Sequence, residues 1–225
     1  MYKHFFKRLI DFTASLVALL ILSPLLIPVV IGLLLTGEHY VFYSQKRVGY
    51  KNERFQILKF ATMLKNSPNM GTGSLTLRKD PRVLPMGGFL RQTKINELPQ
   101  IINTFIGNMT IVGPRPQMEV DFYKFPKSIQ DVIYNAKPGI TGIGSVVFRD
   151  EEKMMTNAGG DPHEFYETHI APYKGELEVW YQENLTFMTD FKIIFLTAWV
   201  IIFPESKLME TWFKDLPDLP EALKI

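Results

Sequence analysis

The sequence predicts an α+β fold, mostly helical. The expected parts are an N-terminal re-entrant membrane element of helix–break–helix form, a short antiparallel β hairpin and amphipathic interfacial helices. Three observations point there. An uncharged apolar run extends from Phe12 to Leu35 and is interrupted by Ser23-Pro24 and Pro28. Two short strand-like segments flank a turn at Arg47 to Asn52. Leu98, Ile101, Ile102 and Phe105 recur at helical spacing.

The apolar run comes first. As a straight helix it is about 36 Å long, formally enough to cross a bilayer. Each proline removes a backbone donor and clashes with the preceding turn, which predicts a kink near the middle. Both flanks are basic: Lys3, Lys7 and Arg8 precede the run, and Lys46, Arg47, Lys51 and Arg54 follow it. Positive residues favour the cytoplasmic side, so charge gives a crossing helix no orientation. A helix that enters, bends at Ser23-Pro24 and leaves on the same face satisfies all three features. The Ser23 hydroxyl is then the expected partner for a carbonyl freed at the bend. The alternatives are an ordinary transmembrane anchor and a signal peptide. Against the signal peptide, the run is long and no small-x-small site precedes Gly37-Glu38-His39.

A second apolar run, Ile193 to Phe203, is too short to span. Asp190 and Lys192 at its entry and Pro204 at its exit suit a helix at the interface or one packed in the core. Trp199 and Trp212 fit either place.

Composition removes several classes. The 225-residue chain has net charge +2, which does not suit an electrostatic nucleic-acid binder. It has no cysteine, so disulfides, thiolate metal sites and a cysteine nucleophile are excluded. The four histidines are scattered, and His163-Glu164 has no second histidine at zinc-protease spacing. There is no Walker A sequence, and Gly71-Thr72-Gly73 lacks the context of a dinucleotide-binding turn. Turn formers predict loops at Asn66–Ser74 and Met154–Pro162.

In the middle of the chain, Tyr40–Gln45 and Phe55–Phe60 read as the strands of the hairpin. Asn96 is placed to cap a helix, with Glu97 and Pro99 suited to its first turn. A helix start is also an anion site, and Arg78, Lys79, Arg82, Arg91 and Lys94 gather near it in sequence. Gly113-Pro114-Arg115-Pro116 is a stiff turn carrying one arginine, a side chain suited to bidentate phosphate contact.

These pieces form an ordered set: Lys7-Arg8 with Asp11-Phe12, Ser23-Pro24, Gln45–Gly49, Lys59–Met63, Asp80-Pro81-Arg82, Phe89-Leu90-Arg91, Asn96–Gln100, Met109–Pro116 and Lys137–Gly142. The set resembles the bacterial sugar transferase family, the monotopic polyprenyl-phosphate phosphoglycosyl transferases, from about Tyr2 to Pro204.

The resemblance implies a re-entrant membrane helix at 1–37, a catalytic domain at 38–204 on the cytoplasmic face of the bacterial inner membrane, and a C-terminal tail at 205–225. It implies transfer of a sugar 1-phosphate from a UDP-sugar to polyprenyl (undecaprenyl) phosphate. That is the first membrane step of a surface glycan, such as an exopolysaccharide or lipopolysaccharide. An aspartate–glutamate dyad and Mg2+ assist through a covalent phosphosugar intermediate. The implied partners are the donor, the lipid acceptor, the bilayer and, as an assembly, a homodimer. Carried over by position, Glu97 is the dyad glutamate, and Asn96 stands where the family has its nucleophilic aspartate, the two together being the metal-side residues. Lys59, Arg91, Arg115 and Arg149 fall at positions that contact phosphate or the nucleotide sugar.

A carboxamide is a poor nucleophile, so Asn96 departs from the pattern. Asn108 and Ala61 also replace the usual aspartate and basic residue. Three expectations follow: Glu97 or another carboxylate such as Asp80 attacks, or transfer is direct; residue 96 was altered in a way that traps substrate; or the protein is a non-catalytic membrane module that binds polyprenyl phosphate or a nucleotide sugar.

Overall fold

The structure is a computed structural model that describes residues 2–70, 80–151, 154 and 162–223. Residues 71–74 of the first expected loop and 155–161 of the second, together with Arg78 and Lys79, lie outside the described residues. The chain forms two compact units. One comprises Met1–Asp11, Arg47–Phe55 and Gly107–Ile225; the other comprises Phe12–Lys46 and Gln56–Ile106. This grouping cuts across the sequence-order parts 1–37, 38–204 and 205–225.

The helix α1 spans Lys7–Leu35 and contains Pro24 and Pro28. It stays helical through both prolines, so no interruption of helical backbone marks the expected break. The local repair is as expected: Pro24 has no N–H for the Leu20 carbonyl, and the Ser23 hydroxyl donates to that carbonyl at 2.8 Å. α1 is long and apolar enough to cross a membrane. Many of its side chains are exposed, among them Leu20, Ile21, Ile27 and Leu35. Its C-terminal half buries a narrow stripe, Val29 and Leu33, against Phe60 and Leu90.

The expected hairpin is present, shifted by a few residues, with β1 at Phe42–Val48 and β2 at Arg54–Phe60. Lys51 and Asn52 adopt positive φ in its turn, and Phe42 stacks on Phe60 with ring centroids 5.7 Å apart. Two helices complete the second unit, α2 at Gly87–Gln92 and α3 at Gln100–Ile106. The fully buried Asn103 of α3 fastens this helix to β2. Its Oδ1 accepts the Leu58 N–H at 2.9 Å, and its Nδ2 donates to the Gln56 carbonyl at 2.8 Å. One carboxamide thereby supplies both backbone bonds that a neighbouring strand would make.

In the first unit, β3 (Thr110–Val112) and β4 (Gly139–Thr141) pair in parallel, Thr110 opposite Gly139 and Val112 opposite Thr141. The sequence reading did not anticipate this pair. Its backbones approach closely: a Cβ on Gly139 would lie 2.2 Å from the Gly113 nitrogen. Around the pair pack α4 (Ile143–Val147), α5 (Ala171–Glu183), α6 (Phe187–Ile202) and α7 (Leu208–Trp212). Their core includes Val112, Ile143, Leu177, Tyr181, Ile193 and Leu196. Residues of the expected tail join it, since Phe213 and Leu223 are buried there.

Thr186 caps α6 by accepting the Thr189 N–H at 3.1 Å. The helix has one buried face and one exposed apolar face. Ile193 and Leu196 are core, while Phe187, Met188, Phe191, Ile194, Phe195, Ile201 and Ile202 are exposed. The start of α1 is tied into the same unit by charge. Lys7 Nζ reaches Asp190 Oδ2 at 2.5 Å, the Val112 carbonyl at 2.9 Å and Tyr181 Oη at 3.2 Å. Asp11 accepts the Thr110 hydroxyl at 2.6 Å and the Ile111 N–H at 2.9 Å.

Asn103→Ala strips two backbone groups of their partners, so a loss of about 2–3 kcal/mol in unfolding free energy is expected in denaturant titration. A loss within about 0.5 kcal/mol, typical of a bland surface change, contradicts the strand-like role of this side chain.

Candidate active site

Lys59 lies on β2, as the sequence predicts, while Glu97, expected in the first turn of a helix, lies just before α3; the structure brings the two side chains together. Lys59 Nζ lies 3.6 Å from Glu97 Oε1, with side chains 18% and 27% exposed. Asn103 fixes α3 to β2 one residue from Lys59, which holds the two elements at this spacing. Both groups are in reach of solvent.

Asn96 does not cap a helix, contrary to the sequence expectation. Lys94 takes a left-handed conformation at φ 60° and starts a tight 3₁₀ turn over Ile95–Glu97. Asn96 lies inside that turn, and α3 begins only at Gln100, beyond Pro99. The Asn96 side chain is buried, and its Oδ1 has no hydrogen-bond partner. A buried acceptor left in this state costs free energy unless something occupies it.

Asp80 has a different environment. Arg82 Nε donates to Asp80 Oδ1 at 2.9 Å, and Arg82 Nη2 donates to Oδ2 at 2.6 Å. Arg82 Nη1 also donates to the carbonyls of Ser67 at 2.8 Å and Met70 at 2.7 Å. This buried bidentate pair fixes the loop entry and leaves Asp80 poorly placed to attack anything. Arg91 lies in the last turn of α2, in the same unit as Lys59 and Glu97, with Nη1 3.4 Å from Met63 Sδ.

Arg115 and Arg149 belong to the first unit. Arg149 pairs with Asp150 at 3.4 Å and donates to the Val200 carbonyl. The Gly113–Pro116 turn is as stiff as its prolines predict. The Gly113 N–H donates to the Thr141 carbonyl and the Gly139 N–H to the Pro114 carbonyl, both at 2.9 Å. Tyr134 Oη donates to the Arg115 carbonyl and accepts the Gln117 N–H, each at 2.9 Å. Glu178 of α5 completes the clamp: its carboxylate accepts the backbone N–H groups of Arg115 and Gly144. Burial raises the Glu178 pKa to about 7, against the opposing effects of Lys174 and the two N–H donors. Sequence reasoning missed Glu178, because a glutamate four residues after Lys174 reads as a solvated helix face.

Among the described residues, no three His, Cys, Asp or Glu side chains gather as a metal cluster. The profile of the bacterial sugar transferase family matches residues 2–204. The chain belongs to the bacterial sugar transferase family. Other members are similar along most of it. The exopolysaccharide production protein ExoY of Sinorhizobium fredii is 31% identical over 85% of this chain and 83% of its own length. The undecaprenyl-phosphate galactose phosphotransferase of Salmonella typhimurium is 30% identical over 88% of this chain and 40% of its own length. The UDP-glucose:undecaprenyl-phosphate glucose-1-phosphate transferase of Escherichia coli K12 is 32% identical over 83% of this chain and 39% of its own length. The chain thus spans less than half the length of the latter two family members.

A carboxyl whose folded pKa lies above its unfolded value adds stability that is complete below the unfolded pKa and lost as pH rises through the folded one. For Glu178 the window runs from 4.5 to about 7, and the loss across it is on the order of 3 kcal/mol. Glu178→Gln should flatten this part of the stability–pH curve in unfolding titrations. An unchanged slope contradicts the buried acidic state.

Proposed function

We propose that this protein moves a sugar 1-phosphate from a UDP-sugar onto polyprenyl phosphate, with Glu97 as the attacking carboxylate. The observation that carries the residue assignment is the contrast among three side chains. Glu97 lies 3.6 Å from Lys59 and is partly exposed, Asp80 has both oxygens held by Arg82, and Asn96 carries a neutral carboxamide. Family membership and the printed activities of the Salmonella and Escherichia relatives support the reaction.

In the first step a Glu97 carboxylate oxygen attacks the sugar-linked phosphorus. The bond from that phosphorus to the bridging oxygen breaks, and UMP leaves with the electron pair. In the second step an oxygen of polyprenyl phosphate attacks the same phosphorus and returns the Glu97 carboxylate. A covalent route splits one transfer between two bulky substrates into two simpler displacements. Arg91, Arg115 and Arg149 are assigned to phosphate contacts, which neutralise charge building on the diphosphate.

Mg2+ belongs to the same proposal. This ion takes few protein oxygens and completes its shell with water and phosphate. The unpartnered Asn96 Oδ1 and the Glu97 carboxylate are such a sparse donor set. When bound, the ion supplies charge neutralisation at the phosphates.

The membrane placement is monotopic, on the cytoplasmic face. Support comes from the first unit, where Lys3, Lys7 and Arg8, before the apolar run, line one pocket with Tyr50, beyond it. The return segment carries Glu38 and Lys46, and a polar strand does not cross a bilayer alone. The exposed apolar face of α6 fits the same interface.

Two experiments test these assignments. With a panel of radiolabelled UDP-sugars, Glu97→Gln is expected to lower transfer by roughly 1,000-fold or more, while Asn96→Asp preserves or raises it. Full activity in Glu97→Gln refutes the assignment, and no transfer from any donor favours a binding module. Cysteine labelling at positions 2 and 53 is expected to report one side of the membrane for both. Opposite sides refute re-entry.

A further inference from the structure

Two buried ionisable side chains of the first unit take no part in the transfer steps. Lys174 and Glu178 lie four residues apart on α5, so they share one face of the helix. They are 6% and 3% exposed. Burying two ionisable groups costs free energy, and apolar residues of similar volume hold a helix in a core at least as well. What distinguishes this pair is where its polar atoms go.

Each side chain reaches a different stretch of backbone. The Glu178 carboxylate accepts the N–H groups of Arg115 and Gly144. The Lys174 ammonium donates to Glu151 Oε2 at 2.7 Å. It also lies 5.3 Å from the ring centre of Phe148 and 5.4 Å from that of Tyr166. Gly144 permits the close approach: a Cβ there would lie 2.7 Å from Glu178 Oε1 and 3.5 Å from Lys174 Cγ.

The tied segments are the ones that carry Arg115 and Arg149. Arg115 is itself one of the bonded residues. Arg149 lies between two anchors, Gly144 in the first turn of α4 and Glu151 beyond its end. The chain between the anchors is short and internally bonded. The Phe148 N–H donates to the Gly144 carbonyl at 3.0 Å, and the Glu151 N–H donates to the Phe148 carbonyl at 3.3 Å. Moving either anchor therefore moves the backbone that carries Arg149. We propose that Lys174 and Glu178 are positioning residues for the donor diphosphate, acting through Arg115 and Arg149. This rests on the assignment of those two arginines to phosphate contacts, and it is independent of which residue attacks.

The test is binding of UDP to the full chain in neutral detergent with Mg2+, measured by titration calorimetry without turnover. Glu178→Met should raise the dissociation constant about tenfold, as expected when a phosphate contact loses its alignment. Glu178→Gln, which keeps an acceptor oxygen, should recover part of that loss. Glu151→Gln, at a partly exposed residue, should weaken binding in the same direction, and it carries the test alone if Glu178→Met does not fold. The deciding readout is coupling. In an Arg115→Ala background Glu178→Met should add less than about twofold, and in an Arg149→Ala background Glu151→Gln should add less than about twofold. A residue that only stabilises the fold lowers the melting temperature and leaves these dissociation constants alone. The inference is overturned if the variants bind UDP like the parent, or if their losses add in full to those of the arginine variants. If the parent itself does not bind UDP, the assignment of the arginines to a donor diphosphate fails and the inference fails with it.

Discussion

The ion pair between Lys7 and Asp190 is the contact that ties the first turn of α1 into the first unit. Around it, Tyr2 and Tyr181 donate to the same carboxylate, and Lys7 also reaches the Val112 carbonyl of β3. One turn along α1, Asp11 accepts two donors from Thr110 and Ile111. A charge that is largely buried is tolerated when it is paired and hydrogen-bonded, and breaking one partner leaves the other stranded. The head of α1 is therefore fixed to the first unit, while most of its apolar surface stays exposed for a nonaqueous neighbour. This explains in physical terms why a lysine and an aspartate are spaced one turn apart at the start of such a helix.

The candidate chemistry follows from a second constraint, local to the other unit. Asn103 stands in for a strand partner of β2, and that docking sets Lys59 beside Glu97. Asn96 is then a buried carboxamide with an unsatisfied oxygen, suited to hold a ligand and unsuited to attack one. Under the proposed mechanism, the attacking role therefore falls to the neighbouring Glu97. In the first unit, the Arg115 turn is held from both sides of its peptide, by Glu178 on the N–H and Tyr134 on the carbonyl. These contacts fix the backbone from which the Arg115 side chain projects.

Much of this was legible in the sequence, and the failures share a cause. The hairpin came from alternating β-formers around a turn, and the Ser23 repair came from knowing which carbonyl Pro24 orphans. The apolar spacing after Asn96 correctly marked a helix. Its start was misplaced because nothing in a lysine announces the left-handed φ of Lys94. The β3–β4 pair escaped because its strands are three residues long and far apart in sequence. Asn103 and Glu178 escaped for a similar reason. Each is a polar residue on a short helical pattern whose meaning depends on partners more than 30 residues away. Motif order singled out Lys59, Glu97 and Arg115, but the contacts around them come from residues distant in sequence and carry no motif of their own.

The most direct measurement is to capture the intermediate. Incubation with a turned-over UDP-sugar in the absence of polyprenyl phosphate, followed by rapid denaturation, proteolysis and mass spectrometry, locates any phosphosugar adduct. The account predicts the adduct on Glu97. An adduct on another residue, or continued transfer with no adduct on Glu97, contradicts it.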